Sequence, residues 1–279
     1  MDQVMTTTNL SSIIPELWSA NFYPTLLAQL PFESLISREF EGEISNLGDT
    51  INITKFPQFG LATELLEDEK NDADSITLST VQLIINKQIV KDYIITNKAM
   101  QQSIDAATKL RDLAMHSVMK KMQSLIINEI IPSAATPDHQ ISYTAGTTLA
   151  LVDCIAAKEL LDLADVPDDG TRVMTLGPSQ ANDLFNIAGF VSRDFSPNAD
   201  ALTSGAITAP VMGFKVKTTS QLGNTSYYFH PSFLTLAVQK MPEVKTFDLG
   251  VEGKRAERVN LTTLLGLKQL DNVRVVSIS

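Results

Sequence analysis

The longest uninterrupted pattern in the chain runs from Lys98 to Ile131, a stretch without Gly or Pro. Met100, Ile104, Ala107, Leu110, Ala114, Val118, Met122 and Leu125 recur at steps of three and four. That spacing lays them along one stripe of an α-helix. The opposite face is predicted to carry Gln101, Asp105, Lys109, Asp112, His116, Lys120 and Gln123, too polar for a membrane span. Thr96 or Asn97 is placed to cap the start, and Pro132 to end it. At a rise of ~1.5 Å per residue the helix would be about 50 Å long, roughly three times the usual globular helix.

The positions before this rod alternate as strands do. A first limb runs from about Ile44 to Phe56, with Thr50, Ile51, Ile53 and Thr54 favouring β structure. A second runs from Ile76 through Leu78, Val81, Leu83 and Ile85 toward Ile95. Ile76 and Leu78 have one parity and Val81, Leu83 and Ile85 the other, which predicts a bulge or twist near Ser79-Thr80. Residues 36–95 therefore read as one long β-hairpin. Its tip, Gly60 to Ser75, is dominated by Glu64, Glu67, Asp68, Glu69, Asp72 and Asp74. A hairpin so long and so charged at its end cannot satisfy itself within its own core and is expected to project. The tip acids lack the D-x-D-x-D-G order and closing Glu of a calcium loop.

After the rod, Pro132 to Thr148 is turn-rich. Leu149, Val152, Ala156, Leu160 and Leu163 predict a second amphipathic helix, and Val166-Pro167-Asp168-Asp169-Gly170 a turn. A short strand over Arg172–Leu176 leads into a helix from Gly177-Pro178-Ser179 to about Ile187, and Phe190 to Pro210 reads as a surface loop. Strands are expected at Phe214–Thr218 and Tyr227–His230, joined by a Gly223-Asn224 turn, then near Leu234–Val238, Val244–Leu249, Arg258–Leu267 and Val273–Ile278. Residues 1–35 are broken by Pro15, Pro24 and Pro31 yet carry Trp18, Phe22, Tyr23, Leu26, Leu27 and Phe32. This predicts an extended arm, with a short helix near Pro15–Ser19, whose bulky residues dock on a surface.

The net charge is −10, and its distribution matters more than its size. Residues 1–80 hold 13 Asp or Glu against Arg38, Lys55 and Lys70, which accounts for all of it. From Ala201 onward the chain is mildly basic, with nine Lys or Arg and five acids, among them Lys254, Arg255 and Arg258. An acidic front and a basic rear suit head-to-tail contact between copies, although an acidic surface also serves solubility. No basic cluster is interleaved with aromatics, which argues against direct nucleic-acid recognition. The length of 279 residues allows one large or two modest domains. No apolar run is long enough to span a membrane, and no signal peptide is expected. The single cysteine, Cys154, has no partner for an intramolecular disulfide, so packing or partners must supply stability.

No assembled active site is legible, and no cofactor or metal is expected. His116, His139 and His230 form no ligand spacing and read as surface or packing residues. No G-x-S-x-G occurs, and Gly250-Val251-Glu252-Gly253-Lys254-Arg255 fails the Walker spacing. Asp168 and Asp169, beside Pro167 and Gly170, read as a solvated turn rather than an acid–base pair.

Arm, acidic-tipped hairpin, long helix, compact α/β region and closing β segment follow one another in that order. The most specific stretches are Gly48-Asp49-Thr50-Ile51-Asn52-Ile53, Tyr228-Phe229-His230-Pro231-Ser232-Phe233-Leu234-Thr235-Leu236-Ala237-Val238-Gln239, and Leu264-Leu265-Gly266-Leu267-Lys268 through Val273-Arg274-Val275-Val276. Together they make the chain resemble the major capsid proteins of tailed bacteriophages with the Hong Kong 97-like fold, an α+β class. The resemblance implies an N-terminal arm (1–35), an extended β-hairpin loop over a neighbouring subunit (36–95), and a spine helix with peripheral domain (96–149). An axial domain (about 150–235) and C-terminal strands returning to the peripheral domain (236–279) would complete it. The implied function is a self-assembling icosahedral head shell in the virion, built in the host cytoplasm from pentamers and hexamers around double-stranded DNA without sequence-specific contact. Scaffolding, portal and decoration proteins are further partners, and no membrane is involved. Subunit contacts are expected at Trp18, Phe22, Phe56, Glu64, Glu67, Asp68, Glu69, Lys254, Arg255 and Arg258. An attached scaffolding segment is not expected, and Lys70, the only lysine of the tip, has no assignable cross-linking partner. Two alternatives stay open: an encapsulin-type nanocompartment shell, and a cytoplasmic α+β enzyme built on a long core helix.

Overall fold

The computed structural model describes residues 30–41, 50–57, 59, 62, 64, 75–98, 104–146, 148–187, 210–250 and 255–279. The expected helix near Pro15–Ser19, the loop at Phe190 to Pro210, and nearly all of the acidic tip lie outside them. The structure is α+β, with two sheets, a two-stranded ribbon and three α-helices among the described residues.

The spine helix α1 spans Ile104–Glu129, about 39 Å of rod. Ala114, Val118, Met122, Ile126 and Ile130 form its buried stripe, each four residues from the next. This corrects the predicted stripe at two points. Leu110 is exposed, and the fully buried residue of the last turns is Ile126, with Leu125 at its margin. Gln123, assigned to the polar face, is also buried, and its amide donates to Thr219 Oγ1 at 2.8 Å. The helix stops before Pro132, where the Gln269 side chain takes over the backbone pairing. Its Oε1 accepts from Ile131 N–H at 2.8 Å and its Nε2 donates to Ile131 O at 2.8 Å.

The predicted hairpin is divided. Strand β1 (Thr50–Lys55) pairs antiparallel with β2 (Ser79–Ile84) in unbroken register from Thr50↔Ile84 to Lys55↔Ser79. The chain then leaves the ribbon at Ile85-Asn86, and β3 (Lys87–Thr96) enters a different sheet. The parity change near Ser79-Thr80 is therefore the start of the strand, not a bulge. Ile76 and Leu78 lie before it and are exposed. Thr96 is the last residue of β3 and is followed directly by helical residues at Asn97 and Lys98.

Strand β3 pairs with β9 (Ala256–Gln269), which pairs with β8 (Leu234–Asp248). The two strands expected at Leu234–Val238 and Val244–Leu249 are one 15-residue strand, with register shifts on either side of Lys240. β8 lies at the sheet edge, where the missing N–H of Pro242 is tolerated. On the covered face, Ile89 and Ile95 from β3 and Val259, Leu261, Leu265 and Leu267 from β9 pack with the α1 stripe. Phe32, Phe229 and Phe233 extend this core, with ring centroids 6.0 Å and 4.8 Å apart in sequence.

The second sheet has the order β4-β10-β7-β5-β6: Gln140–Ile141, Val275–Ile278, Ser226–Phe229, Val173–Leu176 and Lys215–Thr218. β6 and β7 are not neighbours; β5 lies between them, parallel to β6 and antiparallel to β7. β10 joins this sheet, away from the other C-terminal strands. Helices α2 (Leu151–Leu163) and α3 (Pro178–Asn186) flank it. The buried face of α2 is Cys154, Ala157 and Leu161 with Asp153, whereas Val152 and Leu163, assigned inward from the sequence, are exposed. Asp153 fixes that rotation, because its carboxylate accepts from Ala150 N–H at 2.9 Å and from Thr144 N–H at 3.1 Å.

Candidate subunit-contact surfaces

The ribbon is the part of the described chain least able to stand on its own contacts. A two-stranded sheet is marginal in water without a packed face. Its inner end supplies one: Leu83 and Ile85 bury against Ala237, joined by Phe40, Ile51, Ile53 and Leu264. Gly266 of β9 lies directly under it, where an added Cβ would sit 2.7 Å from Ile84 O. The approach is thus close enough to require a glycine.

Charge fastens the other end of the paired strands, where Lys55 lies opposite Ser79. Lys55 Nζ lies 3.2 Å from Asp271 Oδ2, which also meets Arg274 Nε at 3.4 Å, and Arg274 donates to Ser232 Oγ at 2.6 Å. Just before the ribbon, Arg38 donates two hydrogen bonds to Glu41, at 2.7 and 2.8 Å, and lies 3.5 Å from Glu33. These contacts raise the Arg38 pKa, the Glu41 hydrogen bonds first.

Beyond Lys55 and Ser79 the character changes. Phe56 is 74% exposed, and Phe59, Ile76 and Leu78 are each more than half exposed. Four large apolar side chains just beyond an anchored ribbon are more than a scattered surface residue or two. Of the predicted contact residues, Phe56 falls in this group, and Glu64 is exposed farther along the same excursion. Trp18, Phe22, Glu67, Asp68, Glu69 and Lys254 lie outside the described residues. Arg255 is exposed at the entry to β9, where its carbonyl accepts from Asn97 N–H at 3.2 Å. Arg258 is engaged inside its own chain. It pairs with Asp92 of the neighbouring strand, whose pKa that contact lowers, and Asn260 donates to the other Asp92 oxygen. Sequence reasoning missed Phe59, Ile76 and Leu78 as a group. Their clustering depends on the β1–β2 register, which brings residues more than 15 positions apart to one end.

The candidate chemistry disperses. His139 is buried, with Nδ1 3.2 Å from Val275 O. His230 Nδ1 lies 2.7 Å from Ser232 Oγ, and its Nε2 is 3.6 Å from Asp169. Asp169 closes the Asp168–Gly170 turn by accepting from the Thr171 hydroxyl at 2.6 Å and its N–H at 2.9 Å. Those two bonds, with smaller help from His230, hold its pKa at about 2. Asp168 pairs with Lys158 at 3.1 Å. The two carboxylates therefore serve the turn. Burial pushes the Cys154 thiol up, away from nucleophilic use. Among the described residues no cluster of His, Cys, Asp or Glu is arranged to hold a metal ion. No described helix is long and apolar enough to cross a membrane.

An anchored ribbon with an unsatisfied apolar end, a spine helix on one sheet and a second α/β lobe define a subunit made to be completed by other molecules. Comparison with known proteins agrees. The phage capsid protein family matches residues 53–279, and the chain belongs to that family. Among solved structures, one from Mycobacterium phage Che8 superposes with a TM-score of 0.74 at 22% identity, covering 95% of this chain and 97% of that one. The capsid structure of the cyanophage P-SCSP1u gives 0.74 at 10% identity, over 96% and 93% of the two chains. The mature capsid of bacteriophage PhiM1 gives 0.66 at 13% identity, over 95% and 91%. The Hong Kong 97-like description fits this architecture. No curated protein matches.

Proposed function

We propose that this chain is the major head-shell subunit of a tailed bacteriophage, many copies of which close into an icosahedral shell around double-stranded DNA. The observation that carries the reading is the ribbon: fastened along its paired length by Leu83, Ile85 and the Lys55–Asp271 pair, and continued beyond Lys55 and Ser79 by exposed apolar side chains. Laid on a neighbouring copy, Phe56, Phe59, Ile76 and Leu78 would lose their contact with water. Apolar anchors of this kind contribute most of the affinity of an interface. The acidic stretch around Glu64 to Asp74 would set the register of that contact against a less acidic body. In this scheme residues 1–35 act as a further arm, 36–95 as the extended loop, and 96–149 as the spine with the peripheral domain. Residues 150–235 form the axial lobe, and 236–279 complete the sheets. Pentamers and hexamers are the intermediates, and the interfaces together, rather than any one contact, make the shell stable. Portal, scaffolding and decoration proteins complete the particle inside the host cytoplasm.

Negative-stain microscopy and sedimentation of the purified chain test the proposal. Rings or shells under some condition of salt and concentration are the expected result. Small monodisperse particles under all conditions overturn it. Shells that enclose a protein cargo and exclude DNA favour the nanocompartment instead.

A further inference from the structure

We propose that the outward face of α2 is a contact between copies of this chain, with a second copy seated on it; the inference rests on the shell reading above. Helix α2 buries one side in the second sheet and turns an apolar side to solvent. Val152 is 61% exposed and Leu163 66%, with Ile155 between them. A shallow groove of about 600 Å³ is lined by Ile155 and Leu163 of this helix and by Met212.

Met212 is placed there at a cost. It sits at φ +53° in a tight loop closed by reciprocal Val211–Phe214 backbone bonds, both 2.9 Å. A non-glycine residue at positive φ is strained, and such strain collects at functional positions. Here the strained backbone presents a flexible thioether side chain to the groove, the side chain best able to adapt to a partner.

The charges of this face point to a second copy as the occupant. Each chain carries −10, so two copies repel wherever their acids remain free. On this face the charges are already compensated within the subunit. Lys158 pairs with Asp168 at 3.1 Å, and Asp162 with the buried Arg172 at 2.6 Å. Among the described residues of the groove wall, Glu159 alone lacks such a pairing. Two acidic copies can meet here around an apolar centre with little repulsion. A cationic partner would find few free carboxylates to hold it. Three exposed apolar side chains make a small patch, a fraction of a standard ~800 Å² interface half and suited to one contact among several per subunit.

The test uses the full chain. In a Leu163→Cys variant, maleimide labelling is followed in free subunits and in assembled rings or shells; the native Cys154 is buried and gives little background. Labelling at least tenfold slower in the assembly is expected, and equal rates overturn the inference. A Val152→Glu/Leu163→Glu variant with wild-type circular dichroism and urea midpoint should give at least tenfold less assembled material. Undiminished assembly overturns the inference while leaving the shell reading intact. Should that variant fail to fold, the labelling comparison decides. Protection that appears only on adding a scaffolding or decoration protein assigns the face to that protein and overturns the inference. A wild-type chain that never assembles removes the shell reading and this inference together.

Discussion

Arg172 shows how one side chain can organise a region from inside. Its guanidinium is almost wholly buried, donating from Nε to Pro167 O at 3.0 Å, from Nη2 to Val166 O, and from Nη1 to Asp162 at 2.6 Å. It ties the end of α2, the following turn and β5 together. Arg172→Ala would leave two carbonyls and a carboxylate without their donor, and should cost about 2–4 kcal/mol in urea unfolding. A lysine cannot reproduce the fork, so Arg172→Lys should recover only part of the loss. Next to it, Asp169 has a folded pKa of about 2 against an ordinary 3.8. Because the folded value is the lower one, its contribution to stability is full above the ordinary value and is lost as pH falls toward 2. Thr171→Val removes the largest cause, the hydroxyl donor. The Asp169 carboxyl should then titrate closer to 3.8, a shift that carboxyl carbon NMR reads directly.

At the scale of elements, the ribbon and the helices obey different rules. The ribbon's attachment depends on a crossing where Ile84 O would meet a side chain on residue 266 at 2.7 Å. Gly266→Ala should therefore push the ribbon off β9, at a cost of about 1–3 kcal/mol. Hydrogen exchange should show it as faster exchange in β1 and β2 than in β5 and β7. The exposed apolar residues beyond the ribbon should behave in the opposite way. Phe56→Ser/Phe59→Ser removes exposed side chains, so the subunit's melting temperature should change little while assembly measured by sedimentation falls steeply. Helix α1 was readable because its pattern extends over many turns and errors average out. Helix α2 was not. Its sequence has apolar residues on nearly every side, and the choice fell to Asp153, whose hydrogen bonds to Ala150 and Thr144 rotate Cys154, Ala157 and Leu161 inward.

At the scale of the molecule, the described residues form two main cores and a small third one under the ribbon. Phe229, paired in the second sheet yet packed on Phe32 and Phe233, links the two large ones. A subunit with apolar side chains left on the ribbon and on α2 gains stability from whatever covers them. Assembly by mass action should make its apparent melting temperature rise with protein concentration, whereas a self-sufficient monomer would show none. Differential scanning calorimetry over a hundredfold range of concentration checks this.

Periodicity and turn chemistry alone established the spine helix, the strand-rich segments on either side of it and the turn at Asp168–Gly170. These are local consequences of side-chain spacing and turn chemistry, and they hold whatever the chain packs against. Only the folded chain decided which sheet each strand joined, where the hairpin broke at Ile85-Asn86, and why β10 left its sequence neighbours. It also decided that Gln123 faces inward and Leu163 outward. Each of those outcomes depends on partners distant in sequence, such as Gly266 beneath Ile84, Thr219 beside Gln123 and Phe229 against Val275, and no local pattern encodes a contact with a residue it does not contain.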